Sequence, residues 1–239
     1  MNQAGADFSD NDAISEEEIV DRVFEAVVEQ RLPPGTKLSE AALCEAFGVG
    51  RMRVRRSLLL LASREVVVLQ ANRGAFVASP TAEQAREVFE ARLMVEPSLA
   101  RLAAVRATAA DIDMLRKHLD LEEEAHARNQ RREAIRLSGQ FHILVAQVAR
   151  NSVALRMVKE LVARSSLIIG IYGSPGAPNC RDQDHDDILA AIHDRDCEGA
   201  ARGMEEHLEH IQSHLRLDHA SQTAIDVSSI LGKRSAQAQ

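Results

Sequence analysis

Residues 33–77, PPGTKLSEAALCEAFGVGRMRVRRSLLLLASREVVVLQANRGAFV, decide the architecture of this 239-residue chain. The stretch opens on a Pro-Pro-Gly turn. Ser39 is an N-cap candidate, and Ala42, Leu43, Ala46 and Phe47 form an apolar stripe at helical spacing. Gly48-Val49-Gly50 is a tight turn with one apolar anchor. A helix follows over 51–63 with Val54, Leu58 and Leu61 as its core face, and the run 58–61 reads as core. Val66-Val67-Val68-Leu69 has the β-branched content of a strand, Asn72-Arg73-Gly74 is a turn, and residues 75–78 return. Two short helices, a tight turn and a hairpin predict a winged helix-turn-helix.

Charge sharpens that reading. The whole chain carries a net charge of −7, so a nucleic-acid surface must be a local patch. From Arg51 to Arg73 there are six arginines and one acid, Glu65. A recognition helix puts side chains from its N-terminal part on base edges in the major groove, and the guanidinium fork bonds guanine O6 and N7 together. Arg51 and Arg55, at i and i+4, share a helix face and are the expected base readers. Arg53 and Arg56 widen the positive surface toward phosphates. Arg73, beside Gly74 at the hairpin tip, is placed to enter a neighbouring groove or touch the backbone. The helix start near Ser39 can offer its N–H groups to a phosphate.

Outward from this stretch, Ser15 and Glu18 have capping-box spacing. Ile19, Val23, Ala26 and Val27 then predict a helix of roughly 15 residues. Beyond residue 81 the pattern is helical, with helices expected over 81–107, 111–127, 131–149, 151–172, 182–195 and 197–218. Residues 173–179 are the clearest loop. The fold class is mostly α: a winged helix-turn-helix over 14–79, then an all-helical bundle of six to seven helices over 81–218. Residues 1–13 and 219–239 read as flexible tails. Aromatic residues make up 3 % of the chain and there is no tryptophan, so the bundle must pack through aliphatic side chains. The three cysteines (Cys44, Cys180 and Cys197) lack C-x-x-C spacing and read as packing residues in a reducing, cytoplasmic protein. No signal peptide is expected, and no apolar run is long enough to span a bilayer.

Of nine histidines, four stand out in the helical part: His142, His185, His207 and His214. Three histidines from three helices of one bundle can converge on a metal, although a lone mid-helix histidine such as His142 is more often a satisfied core residue. The run Glu122-Glu123-Glu124 reads as a solvated helix face.

Residues 34–77 resemble the winged-helix domain of the GntR family of bacterial transcription regulators. The matching residues are Pro34-Gly35, Leu38-Ser39-Glu40, Leu43, Phe47-Gly48-Val49, Arg51, Val54-Arg55, Leu58, Leu61 and Arg73-Gly74-Ala75-Phe76-Val77. The resemblance implies that Arg51 and Arg55 read bases and that Gly74 approaches the minor groove. Gly50, Arg53, Arg56 and Ala41 depart from the family pattern, which points to a different operator. Residues 85–217 resemble the FCD-type helical effector domain of the FadR subfamily, through Arg92, Glu96-Pro97, Phe141-His142, Asn151, His185, Asp196 and His207-Leu208. In metal-binding members of that subfamily the ligands are one aspartate and three histidines. The histidines correspond to His142, His185 and His207. The aspartate, one turn before the first histidine, is Ser138 here.

The resemblance therefore implies a homodimeric regulator, expected to be a repressor, on a double-stranded DNA operator. A small carboxylate or sugar-acid effector would meet Arg92, Ser138, His142, His185 and His207, with zinc or nickel as the candidate metal. Arg92 could equally form a structural ion pair with Glu96. Two other functions fit parts of the pattern. One is a helical metal-dependent hydrolase using the same histidines and the His185-Asp186 doublet, which has no nucleophile motif behind it. The other is an architectural DNA binder with a vestigial helical domain.

Overall fold

The computed structural model describes residues 14–173 and 183–217. The expected tails, most of the 173–179 loop and Cys180 lie outside the described residues. Helix α1 (Glu16–Val28) is followed by strand β1 (Lys37–Leu38), helices α2 (Glu40–Phe47) and α3 (Arg51–Ser63), and strands β2 (Val67–Gln70) and β3 (Gly74–Val77). Six longer helices follow: α4 (Ala82–Arg106), α5 (Ala109–Ala127), α6 (Arg131–Val148), α7 (Ser152–Tyr172), α8 (Asp184–His193) and α9 (Cys197–Ser213).

Helix starts follow side-chain chemistry. The Ser15 hydroxyl accepts from the Glu18 N–H, Ser39 from Ala42, and Asn151 from Ala154, each satisfying one N–H that the first turn leaves without a carbonyl. The reciprocal half of the expected capping box at α1 is not formed, because Glu18 pairs with Arg22 instead. Full capping boxes occur at Thr81–Gln84 and Thr108–Asp111. Gly48 ends α2 in the left-handed region at φ 66°, where a β-carbon would be strained.

The three strands form an antiparallel sheet in the order β1-β3-β2. Strand β1 was not expected: two residues are too short for an alternation to show, and pairing with Phe76 and Ala75 makes it a strand. Val54, Leu58 and Leu61 are buried as expected and pack with Val23, Val27 and Leu43. Leu59 and Leu60 are exposed, correcting the reading of 58–61 as core. Only every third or fourth residue of α3 can face α1. Ala46 is likewise exposed.

The core of residues 16–77 is not closed on itself. Ala163 and Leu167 of α7 are buried in it. Across the same junction Gln30 Nε2 donates to the Ser166 carbonyl (3.3 Å), and Arg164 pairs with Glu65 (2.8 Å). In the helical bundle, α4 packs on α6, α7, α8 and α9, around Leu99, Ala103, Phe141, Val158, Ile188 and Leu208.

Candidate functional site

The first candidate surface is built on α3. Val49 packs on the core and Gly50 caps the helix without a side chain, so Arg51 begins α3 at the surface. Arg55 lies one turn further on, and its Nε donates to Glu40 Oε1 at 2.9 Å. That bond engages the inner edge of the guanidinium and leaves the Nη1–Nη2 edge for another acceptor. Arg53 and Arg56 turn the other way. Arg53 donates to the Ile14 carbonyl (3.2 Å) and Arg56 to Glu16 (3.2 Å), so both reach toward the start of α1. Met52, beside Arg51, is 62 % exposed. Sequence reasoning passed over it because a methionine in an amphipathic helix is usually core. At the wing, Gly74 has φ +96°, the Arg73 guanidinium lies 5.7 Å from the centre of the Phe76 ring, and Arg73 itself is exposed.

The second candidate lies inside the bundle. His142 on α6, His185 on α8 and His207 on α9 are all buried. Their Nε2 atoms converge: His185 to His207 is 3.0 Å and His207 to His142 is 3.2 Å. Phe141 stacks on His185 with ring centres 4.2 Å apart, which holds that imidazole in plane. His214, weighed with these three, is exposed and lies against His210 instead, with the two rings tilted by 57°.

Each ring turns Nδ1 outward toward a carboxylate. His185 Nδ1 lies 2.9 Å from Glu122 Oε2, and His207 Nδ1 lies 3.2 Å from Asp184 Oδ2. His142 Nδ1 lies 2.6 Å from Glu96 Oε2, a short contact in which the ring N–H is not aimed straight at the oxygen. An ionised carboxylate only accepts, so these contacts favour the proton on Nδ1 and leave a lone pair on each Nε2. Burial pushes His142 down to about 4 and lowers His207 as well, which keeps both rings neutral. Burial opposes ionisation of Glu96 and Glu122. Arg92 and His142 outweigh it at Glu96, and His185 with His126 outweighs it at Glu122, so both carboxyls are held below the usual range.

Three imidazoles with Nε2 turned inward, each backed by a carboxylate, fit a divalent cation that favours nitrogen ligands. Among the described residues, this trio is the one set of three or more donors close enough to share an ion. Glu122 is a correction to the sequence reading: Glu123 and Glu124 are exposed, but Glu122 is 5 % exposed. Its spacing from Leu115, His118 and Leu119, the buried face of α5, carried the signal.

Arg92 holds Glu96 through two bonds, Nε to Oε1 at 2.5 Å and Nη2 to Oε2 at 3.2 Å. Arg92, Ser138 and His142 also line a cavity of about 20 Å³ with Ser165 and Ser166 of α7. That is room for about one water. The hydrolase reading has no support here, because Asp186 pairs with Arg116 at the surface and not with the histidines. No helix among the described residues is long and apolar enough to cross a membrane.

Comparison with known proteins agrees with this division of labour. The gntR family of bacterial regulatory proteins matches residues 15–77, and the FCD domain matches residues 87–210. The chain is 28 % identical over 191 residues to the HTH-type transcriptional repressor RspR of Escherichia coli (strain K12), covering 80 % of this chain and 84 % of that protein. It is 27 % identical over 211 residues to the Uxu operon transcriptional regulator of the same strain, covering 78 % of each. The fold is that of E. coli McbR/YncC, with a TM-score of 0.73 at 18 % identity over 83 % of this chain and 95 % of that one. A GntR regulator from Rhodococcus sp. RHA1 is similar, with a TM-score of 0.71 at 22 % identity over the same shares. With the gntR family matched over residues 15–77 and the FCD domain over 87–210, the chain belongs to the GntR family as a DNA-binding transcription regulator with an FCD domain.

Proposed function

We propose that the protein is a repressor that binds a pseudo-palindromic operator as a homodimer, and that a small carboxylate or sugar acid sets its affinity from the histidine centre. The observation that carries the proposal is the convergence of three Nε2 atoms on one point inside the FCD domain. A divalent zinc or nickel ion held by His142, His185 and His207 would supply Lewis acidity for an anionic effector. The chain's own residues orient the donors and exclude bulk water, and burial keeps His142 and His207 neutral. The cavity beside His142 and Ser138 is too small for a carboxylate effector, so its walls on α4, α6, α7 and α9 must part for one to enter. Such an effector shifts DNA affinity only if it binds one arrangement of the dimer better than the other.

On the DNA side, Arg51 and Arg55 contact bases and Met52 is placed for a thymine methyl group. Arg73 and Gly74 meet the adjacent groove. Arg53 and Arg56, turned toward α1, serve phosphates at the edge of the site. The RspR relative is named a repressor, which agrees with this sign of regulation. Elemental analysis of the purified protein, joined to operator-binding titrations with and without small carboxylates, tests the proposal. About one bound metal per chain and an effector-dependent change in operator affinity are expected. Metal-free protein with unresponsive DNA binding overturns it.

A further inference from the structure

Glu122 is the least expected residue of the bundle interior. A carboxylate removed from water loses its hydration, a cost that only close partners offset, yet Glu122 lies on the buried face of α5 with Leu115, Leu119 and Ala125. What it meets there is imidazole. Oε2 receives His185 Nδ1 at 2.9 Å, and Oε1 lies 3.9 Å from His126 Nε2. Glu96, the corresponding partner of His142, has its charge balanced by Arg92. Among the described residues, Glu122 pairs with imidazoles and not with an arginine or lysine.

We propose that Glu122 is a positioning carboxylate for a metal ion: it fixes the ring of His185 and supplies from outside the coordination sphere the negative charge that Ser138 cannot supply from within it. This rests on the reading that His142, His185 and His207 hold a metal.

Three facts support it. Ser138 is neutral, so the nitrogen donors by themselves leave a divalent charge uncompensated in a buried site. The Glu122–His185 contact selects the tautomer with its lone pair on Nε2, the atom that faces His207. Phe141 stacks on one face of the His185 ring and the carboxylate holds its Nδ1 edge, so together they fix the orientation of the imidazole. The arrangement suits cations that take neutral nitrogen donors, such as Zn²⁺, Ni²⁺ or Co²⁺.

The test uses full-length protein stripped of metal, with Zn²⁺ affinity read by competition against a chromophoric chelator and the ligand field read from the Co²⁺ visible spectrum. Glu122→Gln keeps the volume and an acceptor for His185 but removes the charge. It is expected to weaken Zn²⁺ binding about 10- to 100-fold, as loss of outer carboxylates does elsewhere, and to retain a Co²⁺ spectrum of three-nitrogen type. Glu123→Gln, on the exposed face, should leave affinity unchanged.

A merely structural glutamate would instead lower the melting temperature of the metal-free protein and leave Zn²⁺ affinity intact, and that result overturns the proposal. Glu122→Asp gives an independent arm should the glutamine variant not fold. It keeps the charge but retracts it from His185, and a several-fold loss supports the proposal, whereas wild-type affinity overturns it. If the wild type itself binds neither Zn²⁺ nor Co²⁺, the three-histidine reading fails. Wild-type binding with an unaffected Glu122→Gln variant defeats the outer-carboxylate role alone.

Discussion

The Nε2 atoms of His185 and His207 lie 3.0 Å apart in the bundle interior, and His207 Nε2 also lies 3.2 Å from His142 Nε2. Two nitrogen lone pairs facing each other at that distance repel, so the pair needs a cation or a shared proton between them. His185→Ala and His207→Ala are each expected to remove bound metal. In the wild type, a chelator should lower the melting temperature, because an ion that binds only the folded state stabilises it by mass action. Calorimetry with and without chelator checks this. A melting temperature indifferent to chelation argues against a resident ion.

Acid should destabilise the metal-free protein. His142 is depressed from 6.5 to about 4 by burial. The unfolded chain therefore binds a proton that the folded chain refuses, and the stability due to the neutral ring is complete above pH 6.5 and lost as pH falls toward about 4. The unfolding midpoint in urea, measured on chelated protein across that window, should fall with pH. His142→Gln should flatten the dependence.

Arg55 predicts a loss of sequence discrimination. Its Nε is engaged by Glu40, so the outer edge of the guanidinium is presented in one orientation. Arg55→Ala should reduce specific operator affinity about ten- to hundredfold, the range for losing one bidentate base contact. Arg55→Lys should rescue little, since an ammonium has no fork. Binding isotherms on the operator and on scrambled DNA separate the two effects. Equal loss on both would make Arg55 a phosphate contact.

The wing arginine should behave differently. Arg73→Ala is expected to weaken binding to all sequences and, if its contact is to phosphate, to lower the slope of log affinity against log salt by about 1. A salt series on a fixed duplex measures that slope.

Phe141 is fully buried and stacked on His185. Phe141→Ala should cost about 3–5 kcal/mol of stability, the usual range for emptying an aromatic core position. Phe141→Leu should cost less but still weaken metal binding, because it removes the flat surface that holds the ring. Thermal melts and chelator competition on the two variants test the separation.

Much of this was legible in the chain because local rules act locally. The caps at Ser15 and Ser39 and the core face Val54, Leu58 and Leu61 follow from the residues around them. Leu59 and Leu60 were misread because a run of four leucines hides the helical period. Strand β1 escaped because its partner is nearly 40 residues away. The histidines could be singled out, but the partners of their outer nitrogens could not: Glu96, Glu122 and Asp184 come from α4, α5 and α8. For Glu122, a charged triplet looks like a solvated surface until its first residue is placed on the buried face. Likewise, nothing in the string foretold that Arg53 and Arg56 would turn toward α1 while Arg51 and Arg55 do not.

Ser166 sits where two structures share one residue. Its carbonyl accepts from Gln30, at the end of α1, while the residue also lines the cavity beside His142. The neighbouring Ala163 and Leu167 are buried in the core of the DNA-reading part. Helix α7 is thus a party wall, with the small cavity beside His142 on one side and the reader's foundation on the other. Under the proposed function, a guest that enlarges that cavity would lean on the wall and so press directly on the reader's foundation.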